Sequence, residues 1–119
     1  MKSVKEEYVE LCLKLDEADR ATNIRKHNQT MRSLIKLIEY LDENKEESAF
    51  LVELLMHENI YVRGNAAAHC YNHGINSEEA LAVMKEVFEN APSGDLRAGM
   101  GFKLGVIDGS LSHLIPAKQ

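Results

Sequence analysis

Two histidines four residues apart, His69 and His73, form the clearest metal-binding pattern in the sequence. On a helix, residues i and i+4 share a face, and imidazoles in this arrangement can hold zinc. His57 or Glu58 could supply a third ligand, but neither a His-Glu-x-x-His nor a Cys-x-x-Cys motif is present. We therefore expect partly buried, hydrogen-bonded histidines and predict no resident metal or cofactor.

Basic residues form a second pattern. No acidic residue occurs between Arg20 and Ile38, whereas five basic residues lie in or beside this stretch: Arg20, Arg25, Lys26, Arg32 and Lys36. One interpretation is a solvated helix face whose charges pair with the acids of the first helix. A second is a basic stripe that receives an acidic protein surface. Nucleic acid is the third, but no aromatic residue is interleaved with these bases to stack on nucleotides.

Patterns for catalysis are weak. The chain has no glycine-rich phosphate loop and no Gly-x-Ser-x-Gly elbow. Gly99, Gly101 and Gly105 lie inside a helical pattern and follow no strand, so they do not form a dinucleotide-binding motif. We read Ser110 to His113 as part of the tail. The sequence therefore predicts a protein that is not an enzyme.

All of these residues must be positioned by helices, which the periodicity of the sequence predicts. Apolar residues at helical spacing predict six helices, at about residues 4–20, 24–42, 45–57, 61–73, 76–90 and 95–107. Three pairs have capping-box spacing: Ser3 with Glu6, Asn44 with Glu47, and Asn76 with Glu79. No stretch alternates like a strand. We expect an all-α fold.

Apolar stripes indicate which helix faces point inward. In the second helix the predicted core stripe, with His27 on the same side, is Ile24, Met31, Leu34, Ile35, Ile38 and Leu41. In the third helix we expect burial of Phe50, Leu51, Leu54 and Leu55. In the fourth, the row Val62, Ala66 and Cys70 points inward and leaves the two histidines at its margin.

An internal repeat of 33 or 34 residues suggests how the helices stack. Val62-Arg63 recurs as Leu96-Arg97, and Leu51, Leu54 and Leu55 are echoed by Met84, Val87 and Phe88. This period is typical of helical-repeat solenoids. The run 51–68, with paired leucines, Asn59, Val62-Arg63 and Ala66-Ala67, resembles a HEAT/armadillo-type repeat. Residues 5–105 also resemble a small bacterial family of unassigned function with an α-α superhelical fold.

The resemblance implies one domain, a short right-handed α-α superhelix of about three helical hairpins. Its expected parts are an N-terminal hairpin (1–44), two repeats (45–74 and 76–108) and a capping tail (109–119). Two interpretations of the glycine-rich sixth helix stay open, close packing against helix five or a frayed end, because each interior glycine costs about 1 kcal/mol relative to alanine.

In helical repeats the second helices usually line the concave face, here helices two, four and six. Their polar positions are the candidate binding residues: Arg25, Arg32, Arg63, Asn65, His69, Asn72, His73, Arg97 and Lys103. Arg63 and Arg97 have a structural alternative, in which each locks adjacent turns. The predicted function is protein–protein interaction through a mildly basic groove, with immunity to a toxin or regulation of a partner as its narrower form. The alternative is a nucleic-acid- or phosphate-binding module, and a metal site built on His69 and His73 is the third option.

Composition bounds the remaining possibilities. The 119 residues carry a net charge of −5, which gives no global attraction to nucleic acid or anionic membranes. No apolar run approaches the roughly 18 residues of a membrane span, and residues 1–7 do not resemble a secretory signal. We expect a cytoplasmic protein with Cys12 and Cys70 reduced, and open solenoid ends offer a surface for homo-oligomer formation.

Overall fold

A computed structural model describes residues 2–92 and 94–109, with Asp95 described by its backbone alone. Within these residues the fold is all-α, without strands, as predicted. A 3-10 helix (Lys45–Ser48) precedes the third of six α-helices, which are α1 (Val4–Arg20), α2 (Ile24–Glu43), α3 (Phe50–Leu54), α4 (Ile60–Asn72), α5 (Ser77–Asn90) and α6 (Asp95–Asp108). The predicted cover formed by residues 110–119 lies outside the described residues.

Side-chain caps fix several helix starts. Ser3 Oγ accepts a hydrogen bond from the backbone N–H of Glu6 at 3.1 Å, which confirms the first predicted cap. Two further side-chain caps were not predicted. Asn23 accepts from the N–H of Lys26 at 3.0 Å, and Asn59 caps α4. These bonds satisfy N–H groups that the first turn of a helix leaves without partners.

The other two predicted capping boxes are wrong, because neither asparagine side chain caps the helix that follows it. Asn44 Nδ2 donates to the carbonyl of Tyr40 at 2.9 Å, near the end of α2, and its side chain caps nothing ahead. Asn76 has a φ of +46° and its side chain makes no capping bond. Asparagine tolerates this left-handed conformation better than most residues, so it suits the tight passage from α4 into α5.

The predicted third helix, 45–57, is interrupted. The 3-10 helix ends at Ser48, whose hydroxyl donates to the carbonyl of Lys45 at 2.6 Å, and α3 then contributes only five residues. Leu51 and Leu54 are buried, as is Leu55 just beyond α3. Phe50 is only half-buried. The expected apolar anchors are therefore largely in place even though the helix is short.

The helices form three neighbouring pairs, α1 with α2, α3 with α4, and α5 with α6, and the last two pairs meet through an extensive contact between α4 and α5. Helix α4 also contacts α1, α5 and α6, so it is the central element of the core. Val62, Ala66 and Cys70 are fully buried, which confirms the predicted inward row. Small residues along α4 let neighbouring backbones come close and leave room for larger side chains such as Tyr8 and Met84.

The glycines of α6 differ in their surroundings. A Cβ at Gly101 would lie 2.8 Å from Cε1 of the Phe88 ring on α5, whereas a Cβ at Gly99 would have nothing within 4 Å. Close packing against α5 therefore holds at Gly101 but does not explain Gly99. On α4, Gly64 also lies against α5 and α6, since a Cβ there would be 3.2 Å from Val87 Cγ1.

The predicted core stripe of α2 is partly wrong. Leu34 and Leu41 are buried, but Ile24 is 72% exposed and Ile35 is 46% exposed. The row that actually faces α1 adds two residues that the prediction omitted, Thr30 and Leu37. Helix α2 carries more apolar surface than one neighbour can cover, because it lies at the edge of the molecule with α1 as its main contact.

Candidate functional site

A groove runs between the first half of α2, α4 and α6. It consists of two adjoining cavities of about 370 and 220 Å³, which share Asp19, His27 and Tyr61 as lining residues. Helix α2 contributes Ile24 and Met31 to its walls. The smaller cavity is completed by residues from α1, α4 and α6: Leu15, Gly64, Asn65, Ala68, Leu96, Gly99, Met100 and Lys103. The smaller cavity is thus mainly apolar, whereas the larger one, at the α1–α2 junction, is lined mostly by polar side chains, among them Asp16, Arg20, Asn23 and Asn28.

Asp19 organises the polar part of this groove. Its Oδ1 lies 2.6 Å from Nδ1 of His27, and its Oδ2 accepts a hydrogen bond from the Tyr61 hydroxyl at 2.6 Å. These contacts join the end of α1 to the starts of α2 and α4. The charge of the carboxylate is consequently directed toward the protein's own donors.

A second carboxylate, Asp16, stabilises the same junction from one turn earlier. Arg20 donates two hydrogen bonds to it, each 2.8 Å long, and Asn59 Nδ2 donates a third at 2.8 Å. The bonds from Arg20 lower the pKa of Asp16; burial opposes this shift and the bond from Asn59 adds to it. Because Asn59 also caps α4, one side chain connects the helix start to the α1 carboxylate.

The exposed apolar residues of α2 extend the groove outward. Ile24, Met31, Ile35 and Ile38 follow the spacing i, i+7, i+11 and i+14, which places them on one helix face. Met31 and Ile38 are half-buried, and the two other isoleucines are exposed. We call these four residues the α2 stripe. Apolar residues scattered singly on a surface are ordinary, but an aligned set beside a groove is typical of an interaction site.

Basic residues border the α2 stripe. Arg25, Arg32 and Lys36 are exposed, and the described part of the chain offers them no hydrogen bond or ion pair. Their spacing, i, i+7 and i+11, aligns them on the solvent side of α2. We call these three residues the basic edge.

Two other basic residues behave as the solvated-face interpretation predicts. Arg20 pairs with Asp16, and Lys26 Nζ lies 2.8 Å from a Glu17 carboxylate oxygen. The expected pairing with α1 acids is therefore confirmed for these two residues and does not extend to the basic edge.

The candidate residues Arg63 and Arg97 contact other parts of the protein. Arg63 Nε and Nη2 donate to both carboxylate oxygens of Glu86 at 2.9 and 3.0 Å, and Nη1 donates to the carbonyls of His57 and Glu58. This residue therefore locks the α3–α4 connection to α5, as its structural alternative predicts. The guanidinium of Arg97 lies 5.4 Å from the centroid of the Phe88 ring.

The remaining candidates divide between two places. Asn65 and Lys103 line the groove, and Asn65 Nδ2 donates to the carbonyl of Tyr61 at 2.8 Å. His69 and His73 lie at the far end of α4, where both approach Asp42 of α2. Asn72 is exposed near them. The structure thus brings together only part of the predicted concave face, and its binding role stays a prediction.

Several site residues were not predicted. Asp19, Tyr61 and Asp42 are separated in sequence from the groups they contact, so only the packing of α1 and α2 on α4 unites them. For Asp42 the only available signal was its position in the last turn of α2, since the predicted hairpins could not specify which helix ends meet.

The cysteines offer no reactive nucleophile. Both are buried, and burial raises the pKa of Cys12 to about 12 and that of Cys70 to about 11. A thiol with such a pKa is almost wholly protonated at neutral pH, so it is a poor nucleophile. This agrees with their predicted role as small apolar core residues.

No protein-family model, curated protein or solved structure matches this chain. No helix in residues 2–92 or 94–109 is both long enough and apolar enough to cross a membrane.

Proposed function

We propose that this protein is a non-catalytic protein–protein interaction module that binds its partner along the α2 stripe and the adjoining groove. The observation that carries the proposal is the exposure of Ile24 (72%) and Ile35 (46%) on the same helix face as Met31. Residues that periodicity assigns to a core, but that the chain does not bury, form a ready-made apolar surface.

The surroundings of the stripe define the chemistry of the partner. An amphipathic helix fits best, because a groove between helices accepts apolar anchors at helical spacing. Arg25, Arg32 and Lys36 would then meet acidic residues beside the partner's apolar face, and opposite charges favour encounter and correct orientation. Lys103 adds a positive charge at the α6 side of the groove. We therefore propose an acidic, amphipathic helical segment as the ligand.

A short HEAT/armadillo-like superhelix is the architecture that we propose for this function. The three helix pairs and the 33- or 34-residue repeat support it. In such folds the second helix of each pair lines the inner surface, and α2, α4 and α6 line the groove here. A bacterial, cytoplasmic protein that confers immunity or regulates one partner is the narrowest form of the proposal.

The test compares the wild-type protein with matched variants as affinity baits. Ile35→Glu alters the α2 stripe, Arg32→Glu alters the basic edge, and Met56→Glu is the control because Met56 is 83% exposed and lies outside both. Removing one buried isoleucine contact costs about 1.5–3 kcal/mol, so Ile35→Glu should weaken binding of the identified partner at least 10-fold. Met56→Glu should bind like wild type.

Light scattering across a range of protein concentrations, on the same variants, detects self-association through the stripe. If every captured partner binds Ile35→Glu and wild type equally, and neither variant changes the oligomeric state, the proposed surface is wrong.

A second candidate, a polyanion-binding module, is favoured by the alignment of Arg25, Arg32 and Lys36. It predicts retention on heparin that collapses between about 50 and 200 mM salt, because phosphate-type contacts release counterions. Ile35→Glu would alter such retention far less than Arg32→Glu. Binding to a protein partner that survives this salt range, and that is lost in Ile35→Glu, separates the first candidate from the second.

A further inference from the structure

Three metal-ligating groups converge where the last turns of α2 and α4 meet. Nε2 of His73 lies 2.7 Å from Oδ1 of Asp42, and Nε2 of His69 lies 3.3 Å from the same oxygen. One ligand atom from each residue lies within 4.8 Å of the other two. The histidines occupy one face of α4, and their ring centroids are 4.7 Å apart.

We infer that Asp42, His69 and His73 form a binding site for a divalent first-row transition metal, with Zn²⁺ as the best-fitting ion. Zinc binds imidazole nitrogen and carboxylate oxygen at about 2.0–2.2 Å in tetrahedral geometry. Ligand atoms in such a site are therefore about 3.3–3.6 Å apart. The Nε2–Oδ1 separation of His69 already has this value, that of His73 is shorter, and all three donors lie within 4.8 Å of one another, so side-chain rotations can place an ion among them.

The donor set selects among ions. Two imidazoles and one carboxylate suit zinc, copper, nickel or iron(II), whereas calcium and magnesium prefer sites built from oxygen alone. Three protein ligands also leave a fourth position for water or a ligand atom. This pattern differs from a closed structural site, which supplies four protein ligands.

The burial of the three residues fits this role. His69 is 6% exposed, which fixes its ring, while Asp42 and His73 are exposed and leave the site accessible from solvent. Burial, and to a smaller extent the neighbouring His73, lower the pKa of His69, while Asp42 opposes the shift.

The second ring nitrogen of His69 bears on the affinity of the inferred site for zinc. Nδ1 of His69 is buried and has no hydrogen-bond partner within the described residues. Metal-binding histidines usually donate this second N–H to an acceptor, and losing such a contact costs about 10–100-fold in affinity. The inferred site should therefore bind zinc more weakly than a site with a complete outer shell, as expected of an exchangeable ion.

The experiment is titration calorimetry of the full chain, purified with a chelator and then dialysed, with Zn²⁺ as the probe. We expect one ion per chain, and Co²⁺ should give visible absorption bands typical of tetrahedral coordination. His73→Ala and Asp42→Asn should each weaken Zn²⁺ binding at least 10-fold, because each removes one of three ligands. Both residues are exposed, so circular dichroism should show that both variants fold.

Glu43→Gln is the matched control, since it removes an exposed carboxylate next to Asp42 on α2 that is not part of the cluster. It should bind Zn²⁺ like wild type, and Mg²⁺ should give no saturable heat. Failure to bind Zn²⁺ at one equivalent, or equal binding by wild type, His73→Ala and Asp42→Asn, would overturn the inference. Neither result depends on whether the α2 stripe binds a partner.

Discussion

Two glycines on α6 give a stringent test of the packing, because the same substitution should have opposite effects two residues apart. At Gly99 a Cβ would contact nothing within 4 Å. Gly99→Ala should therefore gain the helix propensity of alanine, about 0.8–1 kcal/mol in the free energy of unfolding. The gain arises partly because alanine restricts the unfolded chain more than glycine does.

Gly101→Ala gains the same helix propensity but introduces a steric clash. Its Cβ would lie 2.8 Å from Cε1 and 3.3 Å from Cδ1 of Phe88, well inside the normal separation of carbon atoms. The ring cannot move without disturbing the guanidinium of Arg97, which lies over it. Overpacking of this kind costs about 1–3 kcal/mol. The net effect should be a loss of up to about 2 kcal/mol, so the two variants should differ by about 1–3 kcal/mol.

Urea unfolding followed by circular dichroism at 222 nm measures both values. For a chain of this size each kcal/mol corresponds to about 4 °C in Tm, so thermal scans should rank the variants Gly99→Ala, wild type, Gly101→Ala from most to least stable. Equal stabilisation by both substitutions would show that α6 does not pack closely on Phe88. Destabilisation by both would show that the groove beside Gly99 is not open.

Two further predictions concern the junction between α1 and α4. Asn59→Ala should lower the free energy of unfolding by about 2–3 kcal/mol, because it removes the cap on Tyr61 and Val62 and a donor to Asp16; a loss below about 0.5 kcal/mol in urea unfolding would refute this assignment. Asp16→Asn should cost about 1–2 kcal/mol at pH 7. The folded-state pKa of Asp16 is lowered. Its contribution to the free energy of unfolding is therefore fully present at a pH above the ordinary pKa of 3.8, and it is lost as the pH falls through the folded-state pKa. The difference between wild type and Asp16→Asn should therefore shrink below pH 3.8, and a difference that grows on acidification would contradict the network.

Local signals in the sequence predicted the helices well. The bounds of α1 and α2 agree with prediction to within one residue, because each helix carries a strong periodic pattern and α1 has a real cap at Ser3. The predictions for Asn44 and Asn76 were wrong because capping-box spacing does not specify the backbone conformation at the asparagine. Asn44 donates back to the carbonyl of Tyr40, and Asn76 has a left-handed φ, with its Nδ2 donating to Glu79 Oε2.

Contacts between distant segments limited the prediction of the sites. The sequence identified His69 and His73 as a pair but suggested His57 or Glu58 as the third ligand, which are nearer along the chain than Asp42. Periodicity showed that Ile24 and Ile35 share a face with Met31. It could not show whether the protein itself covers that face, because this depends on how many neighbours α2 has.

The two proposed sites lie on the same helix but use different residues of it. Ile35, the tested residue of the α2 stripe, and Asp42 are seven residues apart on α2, or about 10 Å along its axis. Substitutions at this separation, with no shared contacts, should have additive effects. Zinc should therefore leave partner affinity unchanged if the two sites act independently. If saturating Zn²⁺ instead changes partner affinity in wild type but not in Asp42→Asn, the ion must bias the position of α2 relative to α4. By linkage the partner would then change zinc affinity by the same factor, which calorimetry of the complex can measure.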